Sequence, residues 1–384
     1  MKTCNVIPAK AGIQSFAAPW MPRHAREGGD CAGMTILAAV MINSRLDSSA
    51  RSLRDSIHTA MTLVHLDTDI GGDIDDLCAL AMLLRWPGVT LAGVTTNLDL
   101  GGKRAGYARY VLATAGHADV PVAAGADVDA HLDRYRVRAG LPDEVAYWPE
   151  PIPPHPTPLD DALDLLEASI HQGALILAIG AFTNLALLEE RSPGILRQAR
   201  LAMMGGYVFP VRAGYPPWSN DMDWNMQIDV AASKLVLERA DPLLVPLTVT
   251  VETALRRAHL PALRRAGPMG ELLARQAEAH AAEYDNERLL GQVYPNLPDD
   301  LINFQHDPLT CAIALGWNEG VRIETLPLTF AIEDGWLHER VDTKGKPVRI
   351  VTAVDGPRFS KFWVEMVTLR YGPDSPGDAL DAMP

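Results

Sequence analysis

Cysteine is scarce: there are four in 384 residues, with no C-x-x-C pair among them. That excludes a zinc knuckle and a dithiol redox centre, and leaves Cys4, Cys31, Cys78 and Cys311 as scattered thiols of the kind a reducing compartment keeps unpaired. Positive charge is also in short supply. Lys and Arg number 34 against 48 Asp and Glu, a formal net charge of −14. This excludes general electrostatic binding to nucleic acid or to an anionic membrane surface, and it suits a site that takes cations. No apolar run approaches the roughly 20 residues of a membrane-spanning helix. The stretch "MTILAAVMI" imitates a short signal core, but Asp30 stands just ahead of it and no cleavage site follows. The expected location is the cytoplasm. Several catalytic signatures are missing as well: the G-x-S-x-G elbow, the G-x-x-x-x-G-K-[ST] phosphate loop and the H-E-x-x-H zinc pair. "GGKRAG" is too loose to cradle phosphate.

What is present is the composition of a globular enzyme, 48% hydrophobic and 21% charged, in a length that one large α/β domain can absorb. The unusual feature is "HLDTDIGGDIDDLCAL", which places Asp67, Asp69, Asp73, Asp75 and Asp76 where an apolar run turns into a helix-like one. Mutual repulsion makes such a cluster costly unless a cation is shared among the carboxylates or a proton is held between them. Capping of a helix N-terminus accounts for Asp75 and Asp76 alone. A calcium loop of the helix–loop–helix kind fails, because counting from Asp67 its fifth position is Gly71 and its twelfth Cys78. The phosphatase-type Asp-x-Asp strand motif also fails at Gly71.

Residues 1 to 60 lack sustained period-2 or period-3.6 patterning. Their "VIPAKAGIQ…AGMT" string resembles translated intergenic repeats, so the expectation is a mis-called start or a disordered extension, with Met34, Met41 and Met61 as candidate starts. A single catalytic domain is expected over 61 to 373 and a flexible tail over 374 to 384. From Met61 the grammar alternates. "TLVHLDTD", "VTLAGVTTN", "VPVAAGA", "ALILAIGA", "LAMMGG" and "LLVPLTVT" read as strands. "DDLCALAMLLRW", "RAGYARYVLATAG", "PLDDALDLLEASIHQ", "TNLALLEE" and "DVAASKLVLER" read as helices. The Pro-rich region 127 to 158 reads as an ordered loop or edge insertion. A tail from about 321 alternates apolar and polar residues ("RIETLPLTFAI", "VRIVTAV") and closes with the helix "GPRFSKFWVEMVTL". The fold class is therefore α/β, a mainly parallel open sheet with helices on both faces. Ligands in such sheets bind beyond the carboxyl ends of the strands. The aspartates, Thr95–Thr96, Thr183–Asn184 and Gly205–Gly206 all fall there.

Four more distant strings are candidates for the same site. "GAFTNLALL" ends a strand with Thr183 and Asn184, for which capping is the simpler local role. "SNDMDWNMQID" gathers Asn220, Asp221, Asp223, Asn225 and Asp229 around Trp224, a set suited to hydroxyl groups or to a solvated loop. "INFQHDPLTCAIAL" puts His306 and Asp307 just before an apolar helix, and "AEYDNERLLGQVYP" supplies Tyr284, Arg288 and Tyr294.

Together "DTDIGGDIDD", "VTTN", "AFTNLAL", "MMGGY", "DWNMQID" and "HDPLTCA", in this order from about Met61 to Leu369, resemble the inosine/uridine-type nucleoside hydrolases. The resemblance implies hydrolysis of the N-glycosidic bond of ribonucleosides to ribose and free base, in nucleoside salvage. It implies a Ca2+ ion held by Asp69, Asp76, the Thr183 carbonyl and Asp307, with Asp69 also the general base. It further implies Asp75 on a ribose hydroxyl, Asp223 and Asn225 on the rest of the sugar, and His306 helping the base depart. Asn97 and Asp99 are both near the place of a further sugar contact. A homo-oligomer is expected. The chain departs from the pattern in an acidic motif two residues longer than usual, so that Asp73 could compete for the metal. It also has Asp223 where the family carries Glu. The rival readings are a metal-dependent phosphohydrolase using Asp67 or Asp69 as nucleophile, and a calcium- or sugar-binding relative without turnover.

Overall fold

The run Thr62–Thr68 is apolar and β-branched enough to be buried on both faces, and in the computed structural model it is the central strand, β1. The structure describes residues 61–71, 73–127 and 144–369, all within one compact unit, Ser52–Pro384. The expected extension over 1 to 60, the expected tail over 374 to 384 and half of the expected Pro-rich loop lie outside them.

The remaining strands are β2 (Val89–Thr96), β3 (Val122–Ala124), β4 (Leu175–Ala178), β5 (Arg200–Met204), β6 (Leu243–Val245), β7 (Leu255–Arg256), β8 (Leu301–Asn303), β9 (Arg322–Glu333), β10 (Trp336–Val341) and β11 (Lys346–Ala353). Nine form one sheet in the order β10-β9-β11-β6-β5-β4-β1-β2-β3. Every pairing from β3 to β11 is parallel, and β9 and β10 extend the sheet antiparallel. β7 and β8 pair separately. The helices of eight or more residues are α1 (Asp75–Leu83), α2 (Lys103–Thr114), α3 (Leu159–His171), α4 (Thr183–Arg191), α5 (Val230–Arg239), α6 (Pro268–Tyr284), α7 (His306–Ala314) and α8 (Gly356–Thr368).

Strand periodicity divides the core in two. Leu175 and Leu177 of β4, with Ala202 and Met204 of β5, face the layer built by α1, α2, α6, α7 and α8. Ile176, Ala178, Leu201 and Met203 face α3, α4 and α5. Alternate side chains of a strand point to opposite faces, so apolar residues at every position require cover on both sides. Strand order reverses at β1, which lies between β2 and β4. The crevice opened there, beyond the carboxyl ends of β1 and β4, is where a doubly wound sheet binds its ligand.

Two readings need correction. "LLVPLTVT" is strand only to Val245. Pro246 has no N–H to continue the ladder, and Leu247–Thr250 turns into a short helix. His306 and Asp307 lie inside the first turn of α7 rather than ahead of it, with Gln305 at its N-cap. β10 had no expectation at all.

The Pro-rich run earns its place by packing on α2. A Cβ at Gly106 would stand 2.4 Å from the Pro153 carbonyl oxygen. Ala normally favours a helix interior over Gly by about 1 kcal/mol. Gly106→Ala is nevertheless expected to lower stability, by about 1 kcal/mol or more, through this backbone collision. Urea unfolding checks the sign.

Candidate active site

The site is assembled from loops at the ends of β1, β2, β4 and β5 and from the start of α7. Asp75 and Asp76 occupy the first turn of α1, where the exposed backbone N–H groups favour negative charge. Asp307 occupies the first turn of α7. The two helix starts meet, and Asp75 accepts a hydrogen bond from the Asp307 backbone N–H. One carboxylate oxygen each from Asp75, Asp76 and Asp307 lie within 4.8 Å of one another, all three residues buried. Burial first, and then their mutual repulsion, hold these carboxyls well above the usual range. Such a group of hard oxygen donors fits a divalent cation, which would relieve both costs at once.

Asp69, buried on the loop after β1, adds its charge to all three. Its Oδ2 accepts from the Trp224 indole N–H at 3.2 Å. Gly180, at the end of β4, is what lets the loops close in. A Cβ there would stand 2.7 Å from Asp69 Oδ1 and 2.6 Å from Asn97 Oδ1. The Asp69 backbone is held by Arg104, a buried cation of α2. Arg104 donates through Nη1 to the carbonyls of Asp69 and Ile70 and through Nε to Leu98 at 2.9 Å. Its charge also lowers the pKa of Asp69 and Asp76, against the rise that burial causes.

Asp67 plays a different part. Its Oδ1 accepts from Thr95 Oγ1 at 2.6 Å and Asn184 Nδ2 at 2.7 Å, and its Oδ2 from Asn97 Nδ2 at 3.1 Å. Asn97 Oδ1 in turn accepts from the Ala181 N–H, and Asn184 Oδ1 from the Ala126 N–H. Asp67 is therefore a hub that ties the ends of β1, β2, β3 and β4 together. A carboxylate committed to three donors is a poor nucleophile, which removes the phosphohydrolase role considered for it. Burial raises its pKa to about 6. Next along the network His65, buried against Ser169 and Thr95, is pushed down to about 3 by burial.

The structure brings Asp69, Asp75, Asp76 and Asp307 together and puts His306 beside them. Asn97 is spent on Asp67 and Ala181. Asp99 accepts from Thr96 Oγ1 and from the backbone N–H groups of Arg104 and Ala105. Both act as scaffold for the β2 loop. Asp223 accepts from the Gly206 N–H at 2.5 Å and the Met226 N–H at 3.3 Å. Asn225 donates to the Ile179 carbonyl at 2.9 Å and the Met204 carbonyl at 3.2 Å. The hydroxyl of Thr183 is given to Asp229 at 2.8 Å. Asp73 turns toward Asn303, at 2.5 Å. Half-buried His306 lies 2.7 Å through Nδ1 from the Thr250 hydroxyl, and its ring is 5.3 Å from that of Phe304. Burial lowers its pKa to about 4, so it is uncharged near neutrality. Sequence reasoning missed Arg104, the Asp67 hub and the indole bond of Trp224. The only local hint was that each sits at the end of a strand or the start of a helix.

An α/β sheet with a buried carboxylate centre at its switch point defines a class, the doubly wound proteins that place a candidate metal site beyond their strand ends. Residues 64–361 match the inosine-uridine preferring nucleoside hydrolase family, and the chain belongs to that family, one of metal-dependent enzymes. It is similar in fold to a plant nucleoside hydrolase, with 20% identity, 81% of this chain and 100% of that one covered, and a TM-score of 0.62. A purine-preferring ribonucleoside hydrolase from Gardnerella vaginalis gives 20%, 79% and 98%, and 0.60. An inosine-uridine preferring nucleoside hydrolase from Bacillus anthracis gives 18%, 80% and 99%, and 0.59. An uncharacterised Schizosaccharomyces pombe protein is 28% identical over 57% of this chain and 73% of its own length.

Removing Arg104 strands three carbonyls. Arg104→Met is expected to cost about 3 kcal/mol of stability or more, read from the midpoint of chemical unfolding. The buried carboxyls also set a pH dependence. A carboxyl whose folded-state pKa is raised adds stability below its unfolded value, near ~4, and loses it as the pH rises through the folded value. Chelated protein should therefore melt at falling temperature as the pH rises from about 4 through about 6, the range set by Asp67 and Asp223. Scanning calorimetry in chelator at several pH values tests this.

Proposed function

We propose that this protein hydrolyses the N-glycosidic bond of ribonucleosides with a calcium ion held by Asp69, Asp76, Asp307 and the Thr183 carbonyl, and that it serves nucleoside salvage. The observation that carries the reading is the buried convergence of Asp75, Asp76 and Asp307 at the helix starts, supported by membership of the family. Calcium takes six to eight oxygen ligands, so when bound it would orient a water and two sugar hydroxyls together and lower the pKa of that water.

The chain's own groups supply the rest. Asp69 takes the proton of the attacking water as general base, its carboxylate oriented by the Trp224 N–H and its backbone fixed by Arg104. Asp75 accepts from a ribose hydroxyl. The carboxylates beneath the ring favour the positive charge that develops on the sugar as the bond to the base stretches. Asp223 and Asn225 close the far side of the sugar segment; each carboxylate oxygen of Asp223 keeps a second lone pair for a hydroxyl. His306 stands where the base departs. Being neutral in the free protein, it assists by donating a hydrogen bond to the departing base, which takes its proton from solvent, and does not act as a standing imidazolium.

The test is ribose release from inosine, uridine, adenosine and cytidine, with calcium and after chelation, beside Asp69→Ala. Release that needs calcium and falls by about a thousandfold or more in the variant supports the reading. A folded, calcium-binding protein that releases ribose from none of them overturns it.

A further inference from the structure

Beside the acidic centre lies a set of polar groups that nothing above employs. α6 turns Gln276 and His280 inward, one helical turn apart and each 3% exposed. Gln276 Nε2 and both ring nitrogens of His280 have no hydrogen-bond partner among the described residues. A buried imidazole with two idle nitrogens is costly, and native structures rarely keep one without a ligand or ordered water to satisfy it. Its ring stacks on Tyr284, with centroids 4.5 Å apart and planes 24° from parallel, so its orientation is fixed.

Asp73 faces it. This residue lies on the acidic loop between β1 and α1. Its side chain is 46% exposed. The two hydrogen bonds it accepts among the described residues, from the Ile74 N–H and Asn303 Nδ2, each 2.5 Å, both end on Oδ1 and none on Oδ2. His280 Nδ1 stands 3.8 Å from Oδ1, beyond hydrogen-bonding reach. Asp73 is also near the reacting centre, since its charge acts on Asp69, Asp75, Asp76 and His306.

We propose that Asp73 and His280 form the edge of the pocket that reads the base of the substrate. The inference rests on the nucleoside-hydrolase reading above and names what that reading leaves open. A carboxylate only accepts, and an imidazole offers at least one N–H donor. The pair is completed by a flat edge that carries a donor beside an acceptor. The N–H and carbonyl of hypoxanthine or uracil form such an edge, as do the amino group and ring nitrogen of adenine or cytosine. Asp73 takes the donor and the His280 N–H serves the acceptor. A base without that edge leaves both groups unpaired, and sites built this way discriminate strongly against the analogue lacking the partner.

Three probes test this with the full-length protein: inosine; purine riboside, which keeps the ring but lacks the carbonyl and its neighbouring N–H; and p-nitrophenyl riboside, which has no base. His280→Phe keeps a ring for Tyr284 to stack on, and Asp73→Ala changes a half-exposed position. Each variant is expected to lower the ratio of kcat/KM for inosine to that for purine riboside by about tenfold or more, chiefly through KM. A rescue to within about threefold is expected in Asp73→Asn, which keeps an acceptor oxygen. An unchanged ratio, with both ribosides slowed alike, shows a structural role and overturns the proposal. If His280→Phe does not fold, the ratio in Asp73→Ala decides alone. Wild-type protein that cleaves p-nitrophenyl riboside but neither nucleoside overturns base reading while leaving the sugar and metal half intact. Wild-type protein that cleaves none of the three overturns the nucleoside reading itself, and the proposal with it.

Discussion

The constraint on which the structure turns is the confinement of like charge. Asp75, Asp76 and Asp307 meet in a dry place with Asp69 beside them, and nothing in water would bring four carboxylates so close. Much of the surrounding architecture can be understood as the means of holding them there. Two helices start at the cluster, so that unsatisfied backbone N–H groups face the charge. Thr68 donates to Asp76. Arg104 holds the loop by its carbonyls, close enough for its charge to be felt by two of the acids yet not paired to either. The acids thus keep open coordination, which a direct salt bridge would have closed.

The scaffold beneath uses the opposite chemistry. Asp67 is surrounded by neutral amides and hydroxyls from three other segments, and the neighbouring His65 is kept uncharged. Each donor in that network has its own second partner, so loops from four strands share one set of hydrogen bonds. Two residues apart in sequence, Asp67 and Asp69 have exchanged the roles that a reader of the motif would find interchangeable. The first binds the loops, and the second faces the crevice.

The fold was legible because its signals are local. Buried strands spaced by amphipathic helices announce a parallel sheet, and the switch point follows from strand order. The acidic loop was legible too, since five aspartates in one short string have no cheap structural explanation. What escaped were the partnerships made across the chain. Asn97 and Asp99 carry the right chemistry for a sugar, yet both are also engaged across the chain, with Asp67, Ala181, Thr96, Arg104 and Ala105, and no spacing rule reveals that. Arg104 sits in a string dismissed as a poor phosphate loop. Trp224, in sequence only the aromatic among the polar residues 220 to 229, gives its N–H to Asp69. β10 was overlooked because "WLHERV" is short and mixed, and only its pairing with β9 makes it a strand. Burial lowers the pKa of His306 to about 4, which its place in the sequence does not reveal.

β10 also locks the segment from Asn220 to Gln227 in a manner indifferent to its own side chain. Gln227 accepts from the Leu337 N–H at 2.8 Å and donates to the Leu337 carbonyl at 2.9 Å, while Asn220 donates to the same carbonyl. The clasp recognises main chain, which every amino acid but proline offers in full. Over evolutionary time position 337 is then free to drift among apolar residues that fit the layer above it, whereas position 227 must keep an amide long enough to bridge. The lineage of this enzyme would record that asymmetry as one silent and one frozen site facing each other across a single pair of hydrogen bonds.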